Sequence, residues 1–237
     1  MALHGNRRHL KKLAKSRVLA LPAKGNVWIK KVQPGAHGKD ESIALQLFLR
    51  DIIRVARTTR EAKMVLNAGE VKVDGRTVRD AGYGVGVMDV VSIPKMEKNY
   101  QVFMIKGRLM PVEVSADDAK LKSCRIKDKT ILTGGKVQLN LHDGRNILIE
   151  KEEDRFNVGD TVRVKLPEYK IESFIKLEKG VNCYAFKGKH AGAVGTLEEL
   201  IELPGGIPTD ARIRHGDKEI VTHKDYLFAV AKEFHIN

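Results

Sequence analysis

The sequence has few cysteines, few aromatic residues and no long apolar run. Its two cysteines, Cys124 and Cys183, lie far apart, which excludes a disulfide framework or a cysteine-rich zinc site and is typical of a reducing, cytoplasmic compartment. No apolar stretch approaches the roughly 18 residues that a membrane-spanning helix requires, so no membrane partner is expected. Aromatic residues make up 5% of the chain, too few for an extended surface that stacks successive bases of a single strand.

Acidic residues are absent from the first 39 positions, although the chain as a whole carries a net charge of +13. Ten of its 43 basic residues lie in that segment, so the remaining chain is close to neutral. A segment with charges of one sign repels itself and is stabilised by a polyanion, of which nucleic acid is the commonest. We therefore define residues 1–41 as a basic N-terminal arm that binds nucleic acid.

The arm supplies the first group of candidate phosphate contacts. Trp28 lies among them and has two interpretations, stacking on a base or pinning the arm to the rest of the protein. The basic side chains of the arm that we expect to contact phosphate are Arg7, Arg8, Lys11, Lys12, Lys15, Arg17, Lys30 and Lys31.

Residues 42–94 have the pattern of two helices followed by a β-hairpin and a strand. The first helix is predicted by four apolar residues at spacings of three and four, namely Leu45, Phe48, Ile52 and Val55. Thr58 and Glu61 have the spacing of a capping box at the start of a second helix, and Gly69 is expected to end it in a left-handed conformation. Asp74-Gly75 predicts a two-residue hairpin turn, and Val87–Ile93 a further strand.

This module carries the second group of candidate contacts. Helical spacing predicts that Arg50, Arg54 and Arg57 share one helix face, and guanidinium groups bind phosphate in a bidentate manner. An ordinary solvated helix face is the alternative, but basic residues outnumber acidic ones here and the acid-free arm adjoins them. The candidate RNA-binding residues of the module are Arg50, Arg54, Arg57, Arg60, Lys63, Lys72 and Arg76.

The chain from residue 95 onward is mainly β in pattern. Residues 137–149 predict a hairpin in which a three-residue loop, 142–144, pairs Leu139 with Ile147 and places Gly144 in the left-handed region. A glycine-punctuated β-unit follows at residues 180–195. Its basic residues Lys187 and Lys189 are the last two candidate contacts, although the glycine spacing is not that of a nucleotide-binding loop.

No catalytic or metal-binding constellation is evident in the sequence. His142-Asp143 falls in the predicted hairpin loop, without a nucleophile at a related spacing. Cys124 has basic neighbours that would lower a thiol pKa, but a buried structural cysteine is the preferred interpretation. We therefore expect no catalytic residue, no metal site, no cofactor and no small-molecule substrate.

Several recognisable short segments follow one another along the whole chain. They include Arg8-His9-Leu10-Lys11, Pro34-Gly35-Ala36-His37, Leu49-Arg50-Asp51, Arg60-Glu61-Ala62-Lys63, Val71 to Gly75, Met88-Asp89-Val90, Gln138 to Asn146, and the motif typical of KOW units at Lys187 to Gly195. In this order the segments resemble the ribosomal protein S4e family of archaea and eukaryotes. Ala36 and Gly84 are departures, since the family usually has proline at both positions.

The resemblance implies an α+β, multidomain protein of the small ribosomal subunit, archaeal-like in its modest length. It implies a basic arm (1–41), an S4-type RNA-binding module (42–94), a central β domain (95–172) and a KOW-type, SH3-like barrel with the C-terminal tail (173–237). The partners would be small-subunit rRNA and neighbouring ribosomal proteins. Two alternatives stay open: an RNA-modifying enzyme with an S4-type appendage, and a transcription-factor-like KOW protein.

Overall fold

The computed structural model describes residues 9–22, 24–202, 209–216, 218–231 and 234, and it consists mainly of antiparallel strands with a few short helices. None of the helices in these ranges has the length and apolar content needed to cross a membrane. The elements between residues 9 and 94 are β1 (His9–Lys11), β2 (Trp28–Lys30), β3 (Ile43–Ala44), α1 (Leu45–Leu47), α2 (Thr59–Asn67), β4 (Lys72–Val73), β5 (Arg76–Thr77), β6 (Gly84–Val85) and β7 (Val90–Ile93).

The rest of the described chain is built from strands and single 3₁₀ turns. The strands are β8 (Lys98–Ile105), β9 (Arg108–Val114), β10 (Leu121–Ile131), β11 (Val137–Leu141), β12 (Asn146–Ile149), β13 (Thr161–Lys165), β14 (Lys170–Ile175), β15 (Asn182–Ala185), β16 (Val194–Ile201), β17 (Asp210–His215), β18 (Lys218–His223) and β19 (Leu227–Val230). The 3₁₀ turns are Lys12–Ala14, Pro94–Met96, Asp118–Lys120, Lys151–Glu153 and Lys224–Tyr226.

Three five-stranded sheets account for most of these strands. The first sheet has the order β5-β4-β7-β8-β9, the second β12-β11-β10-β13-β14 and the third β18-β17-β16-β15-β19. Strands β1 and β2 form a separate ribbon, and β3 pairs with β6. The first sheet combines strands from both sides of the boundary expected at residues 94 and 95, and the division into domains stays a prediction.

The first predicted helix is shorter than its apolar spacing indicates. After α1, residues Phe48–Ile52 form a π-helical turn, and Arg54 adopts a left-handed conformation with φ of 57°. The amides of Val55 and Ala56 both donate to the carbonyl of Leu49, at 3.0 and 3.3 Å, which caps the turn and ends it. The prediction that the helix continues to Val55 was therefore wrong, because burial of Ala56 turns the chain back toward the core.

The local predictions based on capping and turn chemistry are confirmed. Thr58 and Glu61 form a complete capping box at the start of α2, and Gly69 follows the helix with φ of 74°. Val73 pairs with Arg76 across the two-residue turn at Asp74-Gly75. The strand expected from Val87 begins later, at Val90, because Met88 has a positive φ of 68°.

The predicted register of the hairpin β11–β12 is also confirmed. Leu139 pairs with Ile147, Val137 pairs with Ile149, and Gly144 has φ of 72° in the three-residue loop. This register places Val137, Leu139, Ile147 and Ile149 in one core and leaves Leu148 on the exposed face. A one-residue slip would have exposed them, which is why alternation alone predicts the pairing.

The arm is packed against the main body over most of its described length. Leu19, Leu21, Ile29 and Val32 are buried in the same core as α1 and the first sheet. Leu19 also forms a bridge with Leu109 of β9. The described part of the arm therefore has apolar contacts of its own with the protein, in addition to its positive charge.

The third sheet is joined to the first by a buried tyrosine. Tyr184 on β15 is fully buried and shares a core with residues of the first sheet. Its hydroxyl accepts a hydrogen bond from the Met104 amide at 2.6 Å and donates one to the Met104 carbonyl at 2.9 Å. Both backbone groups of Met104 thus depend on one side chain from a distant part of the sequence.

We predict that Tyr184→Phe lowers the free energy of unfolding by about 1 to 3 kcal/mol, because a buried donor and acceptor lose their partner. Chemical denaturation would measure the change. Tyr226→Phe is the matched control, since no described residue bonds to the Tyr226 hydroxyl. Equal stabilities for the Tyr184 and Tyr226 variants would contradict the prediction.

Candidate nucleic-acid interface

The start of α2 brings together three basic side chains. Arg50, which the π-helical turn presents toward α2, donates to Thr59 Oγ1 at 2.7 Å and pairs with both carboxylate oxygens of Asp51. Arg57 precedes the helix and Arg60 lies in its first turn, and both side chains are exposed. The three cations therefore lie on two elements, the π-helical turn and the start of α2, and not on one helix face.

The grouping predicted for Arg50, Arg54 and Arg57 was wrong in its geometry. The helix on which they would share a face ends before Arg54, whose left-handed backbone redirects the chain. Arg54 and Arg57 are exposed, whereas Arg50 is half-buried by its contacts with Asp51 and Thr59. All three remain on the module that carries α2.

The capping box fixes the backbone that carries Arg57. Glu61 Oε2 accepts from the Arg57 amide at 2.8 Å and from the Thr58 amide at 3.4 Å, while the Glu61 amide donates to Thr58 Oγ1 at 3.2 Å. The Arg57 amide bond is the largest cause that holds the pKa of Glu61 below its usual value. Since the amides of Arg57, Thr58 and Glu61 already have acceptors, the guanidinium groups of Arg57 and Arg60 are the candidate phosphate contacts here.

Each acidic side chain of residues 42–94 has a partner within the protein. Six acidic residues lie in this range, and each is engaged within the protein. Their partners are Arg50 for Asp51, the Arg57 and Thr58 amides for Glu61, Lys95 for Glu70, the Gly82 amide for Asp80, and a buried ion cluster for Asp74 and Asp89. The exposed basic residues of the same range are Arg54, Arg57, Arg60, Lys63, Lys72, Arg76 and Arg79, and of these Arg57 interacts with the charge of Glu61.

The hairpin β4–β5 holds two of these cations on the edge of the first sheet. Lys72 and Arg76 are exposed, and the Arg76 guanidinium carbon lies 5.8 Å from the centre of the Tyr169 ring. Gly75 at the tip packs so closely on Pro167 that an added Cβ would lie 2.8 Å from the proline Cβ. Because Pro167 belongs to the turn between β13 and β14, this contact sets the orientation of the hairpin β4–β5.

The candidate residues of the arm are in different surroundings. Lys11 and Arg17 are exposed, and Lys30 and Lys31 are half-buried. Lys12 and Lys15 donate to backbone carbonyls of the arm, Lys12 to Lys24 at 2.7 Å and Lys15 to Leu19 at 2.9 Å. Arg7 and Arg8 lie outside the described residues.

The two candidates near the third sheet differ from each other. Lys187 pairs with Glu41 at 2.5 Å, a contact that raises the lysine pKa and joins the third sheet to the end of the arm. Its charge is therefore partly neutralised within the protein. Lys189 is exposed.

A buried lysine fixes the elements beneath this surface. Lys122 of β10 is fully buried, and its Nζ lies 2.7 Å from Asp74, 2.7 Å from Asp89 and 3.0 Å from Asp143. Burial lowers the pKa of Lys122, but the three carboxylates outweigh burial and raise the pKa well above its ordinary value. One ammonium group thus ties the hairpin β4–β5 and the start of β7 to the β11–β12 loop.

The cluster is completed by side chains from the arm and the second sheet. His37 Nε2 lies 2.9 Å from Asp89 Oδ2. The Tyr169 hydroxyl donates to Asp74 Oδ2 at 3.0 Å, and Arg145 approaches Asp74 at 3.5 Å and Asp143 at 3.8 Å. With His37 protonated, the three cations Lys122, His37 and Arg145 balance the charges of three carboxylates, those of Asp74, Asp89 and Asp143.

The pKa shifts follow from this balance. Burial raises the pKa of Asp89, but His37 and Lys122 outweigh burial and hold it well below its usual range. Burial and the charge of Asp89 raise the pKa of Asp74. Burial lowers the pKa of His37, and the Asp89 carboxylate reverses this effect, so the net shift is upward.

One trio beside the cluster has donor atoms close enough for a metal ion. The potential ligand atoms of Cys124, His142 and Asp143 lie within 4.8 Å of one another. The Lys122 ammonium already occupies an Asp143 oxygen, and the two His142 nitrogens contact the Arg125 amide and the Val87 carbonyl. Burial raises the pKa of the Cys124 thiol well above its ordinary value, contrary to the lowering that its basic neighbours suggested. The geometry therefore favours a structural role for this trio.

Sequence reasoning missed the buried cluster. Asp74 and Asp143 were interpreted only as turn residues, and Lys122 only as a neighbour of Cys124. The signal that was available is that Lys122 alternates with Cys124 and Ile126 on one face of the strand, since a lysine on the inner face of a strand requires carboxylate partners. Nothing in the sequence indicates which carboxylates these are.

Comparisons with known proteins give consistent matches along the chain. An S4 domain model matches residues 45–91, and the model described as Ribosomal family S4e matches residues 96–171. The small ribosomal subunit protein eS4 of Methanocaldococcus jannaschii is 42% identical, over 98% of this chain and 98% of the relative. The protein of the same name from Methanothermobacter thermautotrophicus is 38% identical, over 98% and 96% of the two chains.

A solved structure is similar to this chain as well. It is the crystal structure of the 30S ribosomal protein S4e from Thermoplasma acidophilum, with a TM-score of 0.71 and 32% sequence identity. The similarity covers 82% of this chain and 97% of that one.

We predict that Lys122→Met lowers the free energy of unfolding by about 3 to 5 kcal/mol, because it leaves three buried carboxylates without their shared cation. Chemical denaturation at neutral pH would measure the loss. The control is Lys120→Met, which removes an exposed lysine from the neighbouring turn and should change stability little. A Lys122→Met protein as stable as the Lys120 variant would refute the role assigned to the cluster.

We also predict that stability falls as the pH rises above 6.5, the ordinary pKa of histidine. The pKa of His37 is higher in the folded protein than in the unfolded chain. Protonated His37 therefore stabilises the fold fully at pH values below the unfolded-state pKa, and this stabilisation is lost as the pH rises through the folded-state pKa. His37→Gln should remove this fall in the free energy of unfolding, measured by denaturation across the interval.

His142 acts in another pH interval and with the opposite sign. Burial lowers its pKa to about 4, so its effect is a gain of stability with rising pH that ends near 6.5.

His190→Gln, outside the cluster, is the control for His37→Gln. Retention of the fall above pH 6.5 in the His37 variant would assign it to another group.

Proposed function

Because this chain belongs to the ribosomal S4e family, we propose that it is a structural constituent of the small ribosomal subunit that binds rRNA through phosphate contacts. The family assignment comes from relatives up to 42% identical over nearly the whole chain. Several of those relatives carry the name of a small ribosomal subunit protein. Its partners are rRNA and neighbouring ribosomal proteins, in ribosomes of the cytoplasm.

The observation that supports rRNA binding is the separation of charges in residues 42–94. The acidic side chains are engaged in ion pairs, hydrogen bonds to amides, or the buried cluster, whereas seven basic side chains are exposed. Such a surface attracts a polyanion and is not neutralised from within. We assign the central RNA contacts to Arg57, Arg60, Lys63, Lys72 and Arg76, with the arm as a second contact region between RNA helices.

We propose that the protein acts without catalysis. The alternative of an RNA-modifying enzyme would place a catalytic unit within residues 95–237, where the family model for ribosomal S4e instead matches residues 96–171. The transcription-factor-like alternative rests on the KOW-like motif alone, whereas the ribosomal relatives match along the full chain. Both alternatives are therefore less well supported than a structural ribosomal role.

The finer architecture forms part of the same proposal. Residues 173–237 would form the KOW-type, SH3-like domain, for which the antiparallel third sheet and the glycine turns at 188 and 192 are the supporting features. The S4-type module at 42–94 and the central β domain at 95–172 would be joined through the first sheet and the Lys122 cluster. This arrangement holds the basic surface rigid when it meets RNA.

We predict that the double variant Arg57→Ala with Arg60→Ala binds small-subunit rRNA more weakly, because two phosphate contacts are lost. The slope of log affinity against log salt should become shallower by about 0.7 to 0.9 for each lost contact. In moderate salt, less of the variant should sediment with the small subunit than of the unaltered protein.

The matched control is Arg212→Ala with Arg214→Ala. It removes the same charge from the third sheet, where each arginine is paired with a glutamate, Glu199 or Glu198. Both variants should retain their unfolding midpoints. Equal rRNA affinity and salt slope for the two variants would remove the support for the surface around α2. If the unaltered protein failed to sediment with the small subunit, the ribosomal role itself would be refuted.

A further inference from the structure

The β1–β2 ribbon of the arm has two chemically different faces. In its antiparallel register, His9 pairs with Lys30, Leu10 with Ile29, and Lys11 with Trp28. Because side chains alternate across a strand, Leu10 and Ile29 share one face and the other four share the opposite face. The Leu10–Ile29 face packs on the main core, and Ile29 is buried. The ribbon is thus attached to the protein by its apolar face.

The outer face presents the only tryptophan of the chain, surrounded by basic side chains. Trp28 is 51% exposed. Lys11 Nζ lies 5.7 Å from the centre of the indole ring, and the His9 ring meets it edge-on at 5.1 Å between centres. Since Leu10 and Ile29 already pin the arm to the core, the outward indole is not needed for that purpose.

We propose that Trp28 stacks on an unpaired base of RNA while Lys11 and Lys30 hold the phosphates on either side of that base. A nucleotide offers both a flat π surface and a negative charge, which matches an exposed indole between cations. The paired strands hold the indole in place, so little conformational entropy is lost on binding. The proposal rests on the proposed function and adds to it a base-contacting residue outside the S4-type module.

A protein surface is the competing occupant of this face. An apolar patch on a protein would contact exposed aliphatic residues as well as the indole. Val27, which precedes Trp28 in the chain and is 63% exposed, is such a residue. Lys11, whose Nζ lies 5.7 Å from the ring centre, favours the nucleotide, because an apolar protein patch would have to desolvate this charge without a counter-charge. Val27 therefore serves as the matched control.

The first test uses the intrinsic fluorescence of the full-length protein, which reports on Trp28 alone because the chain has no other tryptophan. The probes are an oligoadenylate of about 12 nucleotides, within the span of known single-strand sites, and inorganic polyphosphate as a base-free polyanion. We expect saturable quenching by the oligoadenylate and little quenching by polyphosphate. Equal quenching by the two polyanions would overturn the proposal, since it would show charge contact without stacking.

The second test measures affinity by the anisotropy of a labelled oligoadenylate. Trp28→Leu should weaken binding about five- to a hundredfold, as expected for the loss of one stacked base, and Trp28→Phe should retain most of the affinity. Val27→Ala should bind as the unaltered protein does, and all three variants should bind polyphosphate equally well. The outward position of both side chains predicts unchanged unfolding midpoints.

The outcomes separate this inference from the ribosomal role. If Trp28→Leu binds oligoadenylate as tightly as the unaltered protein, base stacking is refuted, whereas the phosphate contacts around α2 are unaffected. A Val27→Ala loss as large as that of Trp28→Leu would refute stacking in favour of a general apolar contact. If the unaltered protein bound neither oligoadenylate nor rRNA, both the inference and the proposed function would be refuted.

Discussion

The structure depends on one buried ammonium group. Lys122 enters the interior from β10 and there meets carboxylates from the β4–β5 hairpin, the start of β7 and the β11–β12 loop. A charge in this position would be strongly unfavourable without partners, and each carboxylate would be equally unfavourable without the lysine. The elements that supply them are therefore held in one relative position, which hydrophobic packing alone, being non-directional, would specify less sharply.

This interior arrangement also shapes the surface. Asp74 and Asp89 are used inside, and the other acidic groups of residues 42–94 are bound to a neighbouring cation or to backbone amides. The positive side chains of the same segment are left facing solvent. This distribution favours the binding of a polyanion, because carboxylates buried in the Lys122 cluster stabilise the fold and lie away from the surface where phosphate would bind. The β1–β2 ribbon follows the same principle, with Leu10 and Ile29 facing the core and Lys11 and Trp28 on the outer face.

The parts of the candidate site that sequence reasoning predicted are those governed by local chemistry. The capping box at Thr58 and Glu61 and the turn at Asp74-Gly75 each depend on residues a few positions apart. The first helix was mispredicted because the cap on the Leu49 carbonyl and the burial of Ala56 override a favourable apolar spacing. The arginines that the pattern placed on one helix face are instead distributed over a π-helical turn, a left-handed residue and the start of α2.

Composition, alternation and turn residues are properties of neighbouring positions in the chain. The charge asymmetry, the mainly β character after residue 95, the hairpin registers and the resemblance to a ribosomal family could therefore be predicted without the fold. The folded protein was needed to show that Lys122 is charged and buried, that His37 of the arm joins its carboxylate partners, and that Trp28 faces outward while Ile29 faces the core. Those outcomes depend on residues tens of positions apart meeting in space, and the free energy of a buried charge is set by which of them meet.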